Sequence, residues 1–232
     1  MIPQKSRLFC AILDLSFKLK VNGVTLPSVN LATNVLAPQK SMEHLSQVLK
    51  RLVFDMGSSY DPNQSFLFSK VDMKDGFWRP VLSRLDAWNF YYVLPAQQGT
   101  KTLNETEIVV SHALQMGWSK FPPFFCTATE TAQDIIQTLA TSPTKLPLHP
   151  LESYIIPNSA KHSNTPPHSI TQMEVYVDDF IAMTNNASSQ HLTNWSRSIL
   201  HGIHSIFPPP LVTQHKGGDP ISIKKLKQED RR

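Results

Sequence analysis

Residues 41–57, SMEHLSQVLKRLVFDMG, place Met42, Leu45, Val48, Leu49, Leu52, Val53 and Met56 three and four positions apart, the repeat that lines one face of an α-helix. Ser41 stands where an N-cap belongs and Gly57 follows the last apolar position, so the pattern predicts a helix over 41–57. A second helix is predicted over 121–140, where Pro122 and Pro123 open a stripe of Phe125, Ala128, Ala132, Ile135, Ile136 and Leu139. A third runs over 187–207 on Leu192, Trp195, Ile199, Ile203 and Ile206, and ends at the prolines of 208–210. Apolar runs without helical spacing predict strands over 8–17, over 65–72 with Asp72 at its end, over 88–94, and a weaker one over 107–110. MEVYVDDFIAM at 173–183 predicts a β-hairpin with Asp178 and Asp179 in its turn. Residues 141–170, rich in Pro, His, Ser and Asn, predict an exposed connection without a core of its own. Together these elements predict an α+β fold, an antiparallel sheet with helices on one face.

Two adjacent carboxylates inside a strand-forming run are costly unless something neutralises them. Two readings fit this stretch alone. One is a plain hairpin with a polar tip, and the other is a hairpin whose tip binds a divalent cation through carboxylate oxygens. If the strand ending at Asp72 pairs beside this hairpin, Asp72 and Asp178 converge at one sheet edge.

Composition narrows the classes without choosing among them. The chain has 232 residues, 41% hydrophobic and 17% charged, enough for one large domain or two small ones with a core, which excludes a disordered chain. A net charge of +4 and a pI near 9.0 permit a nucleic-acid partner, and a scattered solvated surface accounts for them equally. Cys10 and Cys126 are too few for a disulfide framework or a zinc site, so a reducing compartment is expected. MIPQKSRLFC lacks the features of a signal peptide and no 18-residue apolar run is present, so the expectation is an intracellular protein with no membrane partner.

The segments SKVDMKDGFWRPVL, LQMGWSKFPPFFCTATETAQDI and MEVYVDDFIAM, in this order, resemble three successive motifs of reverse transcriptases, particularly those of long-terminal-repeat-type retrotransposons. The opening IPQKSRLFCAILDLSFKLKVNG is similar to part of the fingers of that family. The resemblance implies a polymerase palm-like antiparallel sheet over 63–232 and a partial fingers segment over 1–62, with the family's thumb and RNase H absent. It implies that Asp72 and Asp178 hold two Mg2+ ions, with Mn2+ as a substitute, and that Asp179 supports them. One metal would activate the primer 3′-oxygen while the other steadies the triphosphate and leaving group. Phe77 matches the aromatic residue that lies against the sugar of the incoming nucleotide and leaves no room for a 2′-hydroxyl, so the substrate would be a deoxynucleotide. Asp75 and Gly76 match the turn facing the triphosphate. Gln115, Met116 and Gly117 match the loop over the nucleotide, with Trp118 beside the template and Tyr176 near the primer end. The partners implied are dNTPs and an RNA or DNA template carrying a primer.

The chain also departs from that pattern. Cys10 stands where the family usually carries an arginine for the triphosphate, and a thiol cannot make a bidentate, charge-assisted contact. Lys5 and Arg7 lie nearby, and Lys224 or Lys225 resembles a lysine that protonates the leaving pyrophosphate. Three functions remain open at this point. The first is RNA-directed DNA polymerisation, the second a catalytically inactive retrotransposon remnant with at most weak nucleic-acid binding, and the third a metal-dependent phosphohydrolase.

Overall fold

The computed structural model describes residues 2–4, 7–10, 13–33, 35–58, 66–93, 107–142, 145–154, 171–185, 189–210 and 218–226. In chain order the first elements are β1 (Ile2–Gln4), β2 (Arg7–Cys10), β3 (Lys20–Val21), β4 (Val24–Thr25), α1 (Val29–Ala32), α2 (Lys40–Leu45), α3 (Val48–Ser58) and β5 (Phe66–Asp72). They are followed by β6 (Tyr92–Val93), β7 (Ile108–Val109), α4 (Phe121–Thr141), β8 (Thr171–Tyr176), β9 (Asp179–Asn185), α5 (Ser189–Ile206) and α6 (Ile223–Leu226). The fold is mixed helix and sheet, and all named strand pairs are antiparallel. Among the described residues no helix is long and apolar enough to cross a membrane.

Two compact units are present, residues 1–37 with 77–124 and residues 38–76 with 125–232. This division does not follow the 1–62 and 63–232 boundary read from the sequence. Residues 38–58 belong with the main sheet because Val48 and Leu52 of α3 bury against Met183 of β9.

In the first unit, β1 pairs with β2 and β3 turns into β4 through Asn22 and Gly23, both at positive φ, as a two-residue hairpin requires. Of the strand expected over 8–17, residues 8–10 lie in β2 and residues 13–17 do not form a strand, while residues 11 and 12 lie outside the described residues. Beyond β2 Asp14 accepts a hydrogen bond from the Ser16 amide, and this local turn competes with extended pairing. Of the strand expected over 88–94, only Tyr92–Val93 is extended among the described residues, because Ala87–Phe90 coil into a 3-10 turn that buries Ala87 and Phe90, and residue 94 lies outside them. Around Trp118 the rings gather: Phe90 meets it edge-on at 5.3 Å and Phe124 stacks on it at 6.0 Å.

The second unit is built on a three-stranded sheet in the order β5-β9-β8. Strand alternation puts Lys70, Asp72, Asp179, Ile181, Met183 and Glu174 on one face, and Val71, Phe180, Ala182, Met173 and Val175 on the other. Helix α3 covers the first face at Ile181 and Met183, while Phe180, Ala182 and Met173 on the second face are also buried. The sheet is therefore covered on both faces rather than on one. The free edge of β8 is used as well, since Gln133 of α4 donates to the Met173 carbonyl at 2.6 Å. Helix α5 approaches α4 closely at Gly202, where a Cβ would sit 2.3 Å from Ile136 Cγ1.

The helix expected over 41–57 is two helices. Ser46 donates its hydroxyl to the Glu43 carbonyl and Arg51 donates to the His44 carbonyl, so the acceptors that would carry the helix onward are taken. Of its apolar positions only Val48, Leu52 and Met56 turn to the sheet, and Leu49 and Val53 are exposed. The connection expected to be exposed over 141–170 also differs in its described part, for His149 and Leu151 are buried. Arg197 of α5 clamps Glu152 there with three hydrogen bonds of 2.8 to 3.0 Å.

Candidate functional site

The β5–β9 ladder runs in register from Phe66 opposite Asn185 to Asp72 opposite Asp179. On the other side of Asp179 stands Tyr176 of β8, and the Met73 amide donates to the Asp178 carbonyl at 3.0 Å. Strand pairing thus brings Asp72, Asp178 and Asp179 to the same end of one sheet. The hairpin turn lies one residue earlier than expected: Val177 and Asp178 form it and Asp179 opens β9. That offset puts Asp179 on the same sheet face as Asp72. Val177 has φ +60° at the first position of a two-residue turn, where glycine is the usual occupant. A β-branched residue held in the left-handed region costs on the order of 1–3 kcal/mol.

Part of the negative charge is neutralised from within. Lys70, on the same face of β5, places Nζ 2.6 Å from Asp179 Oδ2. The hydrogen bond to Asp179 holds the Lys70 ammonium above its ordinary range, and the charges of Asp179, Asp72 and Asp178 add to it. The other oxygen of Asp179, Oδ1, is buried with no hydrogen-bond partner among the described residues. A buried carboxylate oxygen left in that state is costly, and a hard cation is a chemically suitable partner. Three carboxylates suit Mg2+ or Mn2+, and Asp179 Oδ1 favours such a group. Yet among the described residues no three His, Cys, Asp or Glu side chains are gathered closely enough to form a ready cage.

The loop after Asp72 is shaped tightly. Asp75 adopts φ +53°, a region aspartate tolerates better than most residues. Gly76 is buried, and a Cβ there would lie 3.1 Å from the Phe125 ring and 3.4 Å from Asp178 Cβ, so packing beside Asp178 selects a small residue. A partner the sequence patterns did not indicate is the 218–226 segment. Met73 bridges to Ile221, the Lys74 amide donates to Pro220 at 2.7 Å, and the Ser222 amide donates to Asp72 at 3.0 Å. Its backbone completes the end of β5, and no apolar period in that stretch announces it.

The remaining residues of interest, Tyr176 apart, belong to the first unit. Phe77 packs edge-on to Phe121 at 5.2 Å. Gln115 is buried, and its amide donates to the Ala113 carbonyl at 3.1 Å and to Ser111 Oγ. Met116 beside it is half-buried. Gly117 has φ +105°, and a Cβ there would lie 2.2 Å from the Leu13 carbonyl oxygen. Backbone packing alone therefore requires glycine at this position. Trp118 is buried and spends its indole N–H on Thr33 at 3.0 Å. Asn30 ties the loop down, donating to the Gly117 carbonyl at 3.0 Å and accepting from the Ser119 amide at 2.9 Å. Tyr176, in the second unit, is exposed on the aspartate-bearing face. Asp72, Asp75, Gly76, Tyr176, Asp178 and Asp179 thus share the second unit, whereas Phe77, Gln115, Met116, Gly117 and Trp118 share the first. No protein-family model matches the chain, and no curated protein matches it significantly.

Proposed function

We propose that the chain is the palm and part of the fingers of an RNA-directed DNA polymerase from a retrotransposon-like element, adding deoxynucleotides to a primer on an RNA or DNA template. The observation that carries this reading is the meeting of Asp72 with Asp178 and Asp179 at one sheet end, an arrangement the three ordered motifs require. Asp72 and Asp178 would hold two divalent cations, with Asp179 in support. Those cations, when bound, supply an activated primer oxygen and charge neutralisation at the leaving pyrophosphate. Lys70 orients Asp179 through their ion pair until a cation competes for it. Phe77 would exclude a 2′-hydroxyl at the sugar, and the backbone around Asp75 and Gly76 would face the triphosphate. The resemblance alone assigns Gln115, Met116 and Gly117 to the nucleotide, Trp118 to the template and Tyr176 to the primer.

A second reading, a catalytically inactive remnant, is favoured by the Lys70–Asp179 ion pair, which takes up one carboxylate oxygen of the site, and by Cys10 in place of a triphosphate-binding arginine. Primer extension on an RNA template with Mg2+ or Mn2+, run beside Asp178→Asn, separates the two. Extension that disappears in the variant supports the polymerase. Background signal in both proteins supports the remnant.

A further inference from the structure

A histidine relay runs through the second unit from His149 to Asp219. The Leu151 amide donates to His149 Nδ1 at 3.1 Å, which leaves Nε2 as the protonated nitrogen of neutral His149. That Nε2 lies 3.0 Å from His204 Nδ1, and His204 Nε2 lies 3.0 Å from Asp219 Oδ1. One backbone N–H therefore sets both tautomers, and every donor along the line points toward Asp219. The same Asp219 oxygen accepts from the Ile221 amide at 2.8 Å and so shapes the turn whose next residues are bonded to Asp72, Met73 and Lys74.

We propose that Asp219, His204 and His149 are positioning residues, a latch that docks residues 149–152 and 219–222 on α5, holds the backbone around Asp72, and is released when His149 takes a second proton. The role assigned to Asp72 rests on the polymerase reading, whereas the latch itself does not. A second proton must enter at Nδ1, where it displaces the Leu151 amide and sets two N–H groups against each other. The groups facing His149 make that proton unwelcome or weakly compensated. His201 and His204 approach from α5 with ring centroids at 4.8 and 4.7 Å, and Arg197 lies on the same helix bound to Glu152. Glu152, on the histidine's own segment, and Asp219 supply the opposing negative charge. Burial comes first and neighbouring histidines second in pushing the His149 pKa down to about 4. Between its ordinary value of 6.5 and that pH, each unit of acidification favours the undocked state by up to about tenfold.

Amide hydrogen exchange, expressed as protection factors, tests this on the whole chain. Between pH 7.5 and 5.0 protection at Leu151 is expected to fall at least about tenfold while the β8–β9 ladder keeps its own. Asp219→Ala is expected to lower protection at Lys74 and Ser222, and Asp219→Asn, which retains an acceptor oxygen, to restore it. Unchanged protection at Leu151 across that pH range, or at Lys74 and Ser222 in a folded Asp219→Ala variant, overturns the proposal. If Asp219→Ala does not fold, the pH series on the unaltered chain decides. Absence of primer extension in the unaltered chain, together with the expected changes at these amides, counts against the polymerase reading only.

Discussion

Asp72 and Asp179 are direct partners across the last rung of the β5–β9 ladder, two like charges set face to face. Such a pair is unfavourable by itself, and Lys70 relieves it from two residues up the strand. Lys70→Met is expected to lower stability by about 0.5–1 kcal/mol, a modest figure because the ammonium is half exposed and screened. Added Mg2+ should then raise the melting temperature of the variant more than that of the parent. Equal responses to Mg2+ would argue that no cation binds between the aspartates.

Val177 is held at φ +60° in the hairpin turn. Val177→Gly removes that strain and adds flexibility to the unfolded chain, with an expected net gain of about 1 kcal/mol. Denaturant midpoints measure the gain. If the strained turn aims Asp178 for catalysis, primer extension falls as stability rises.

At Gly117 the sign is opposite. A methyl group there meets the Leu13 carbonyl at a backbone angle that L-residues avoid. Gly117→Ala should destabilise the first unit by about 2–3 kcal/mol. A loss of a few tenths in equilibrium unfolding would show that the loop accommodates a side chain.

Glu174 is buried in the sheet face beneath α3, with both oxygens held by Arg51 at 2.5 and 2.8 Å. Arg51→Met leaves that carboxylate buried without its counter-charge, with Gln172 still donating to Oε1 at 3.4 Å. The expected cost is about 2–3 kcal/mol, below the value for a fully buried pair because Arg51 is partly solvated. Arg51→Met with Glu174→Gln should recover most of it, and a double-mutant cycle reads the coupling.

Acid should act in two steps. His149 sits below its ordinary pKa of 6.5, so the folded state binds fewer protons than the unfolded one, and stability is lost as pH falls from 6.5 to about 4. Arg197, by hydrogen bonding, holds Glu152 below the usual carboxylate range, and that contribution is in place above pH 4.5 and lost beneath it. Denaturant midpoints followed from pH 7 to 3 should decline in both windows. His149→Asn should flatten the first and leave the second.

Much of the fold is legible in the residue order. Helix α4 begins at the predicted diproline, α5 stops before Pro208, and β5 ends on Asp72, because proline punctuation and apolar spacing act within a few residues. The hairpin was legible too, but not its turn: alternation of apolar residues holds for either register, and only pairing with β5 selects Val177–Asp178. The break at Ser46 was hidden because a serine that bonds back to the preceding turn looks like any polar helix residue. His149 was hidden for a related reason, since a histidine among prolines reads as solvated until α5 covers it.

By itself, then, the order of residues determined the helices, the strand ending at Asp72 and the paired aspartates, all written in local spacing. Tertiary structure alone decided that Asp72 meets Asp178 and Asp179, that Lys70 bonds one of them, and that a histidine line is tied to the same strand end through residues 219–222. Each of these is a contact made by registering one segment against another, and registration depends on which faces bury together rather than on any pattern within a segment.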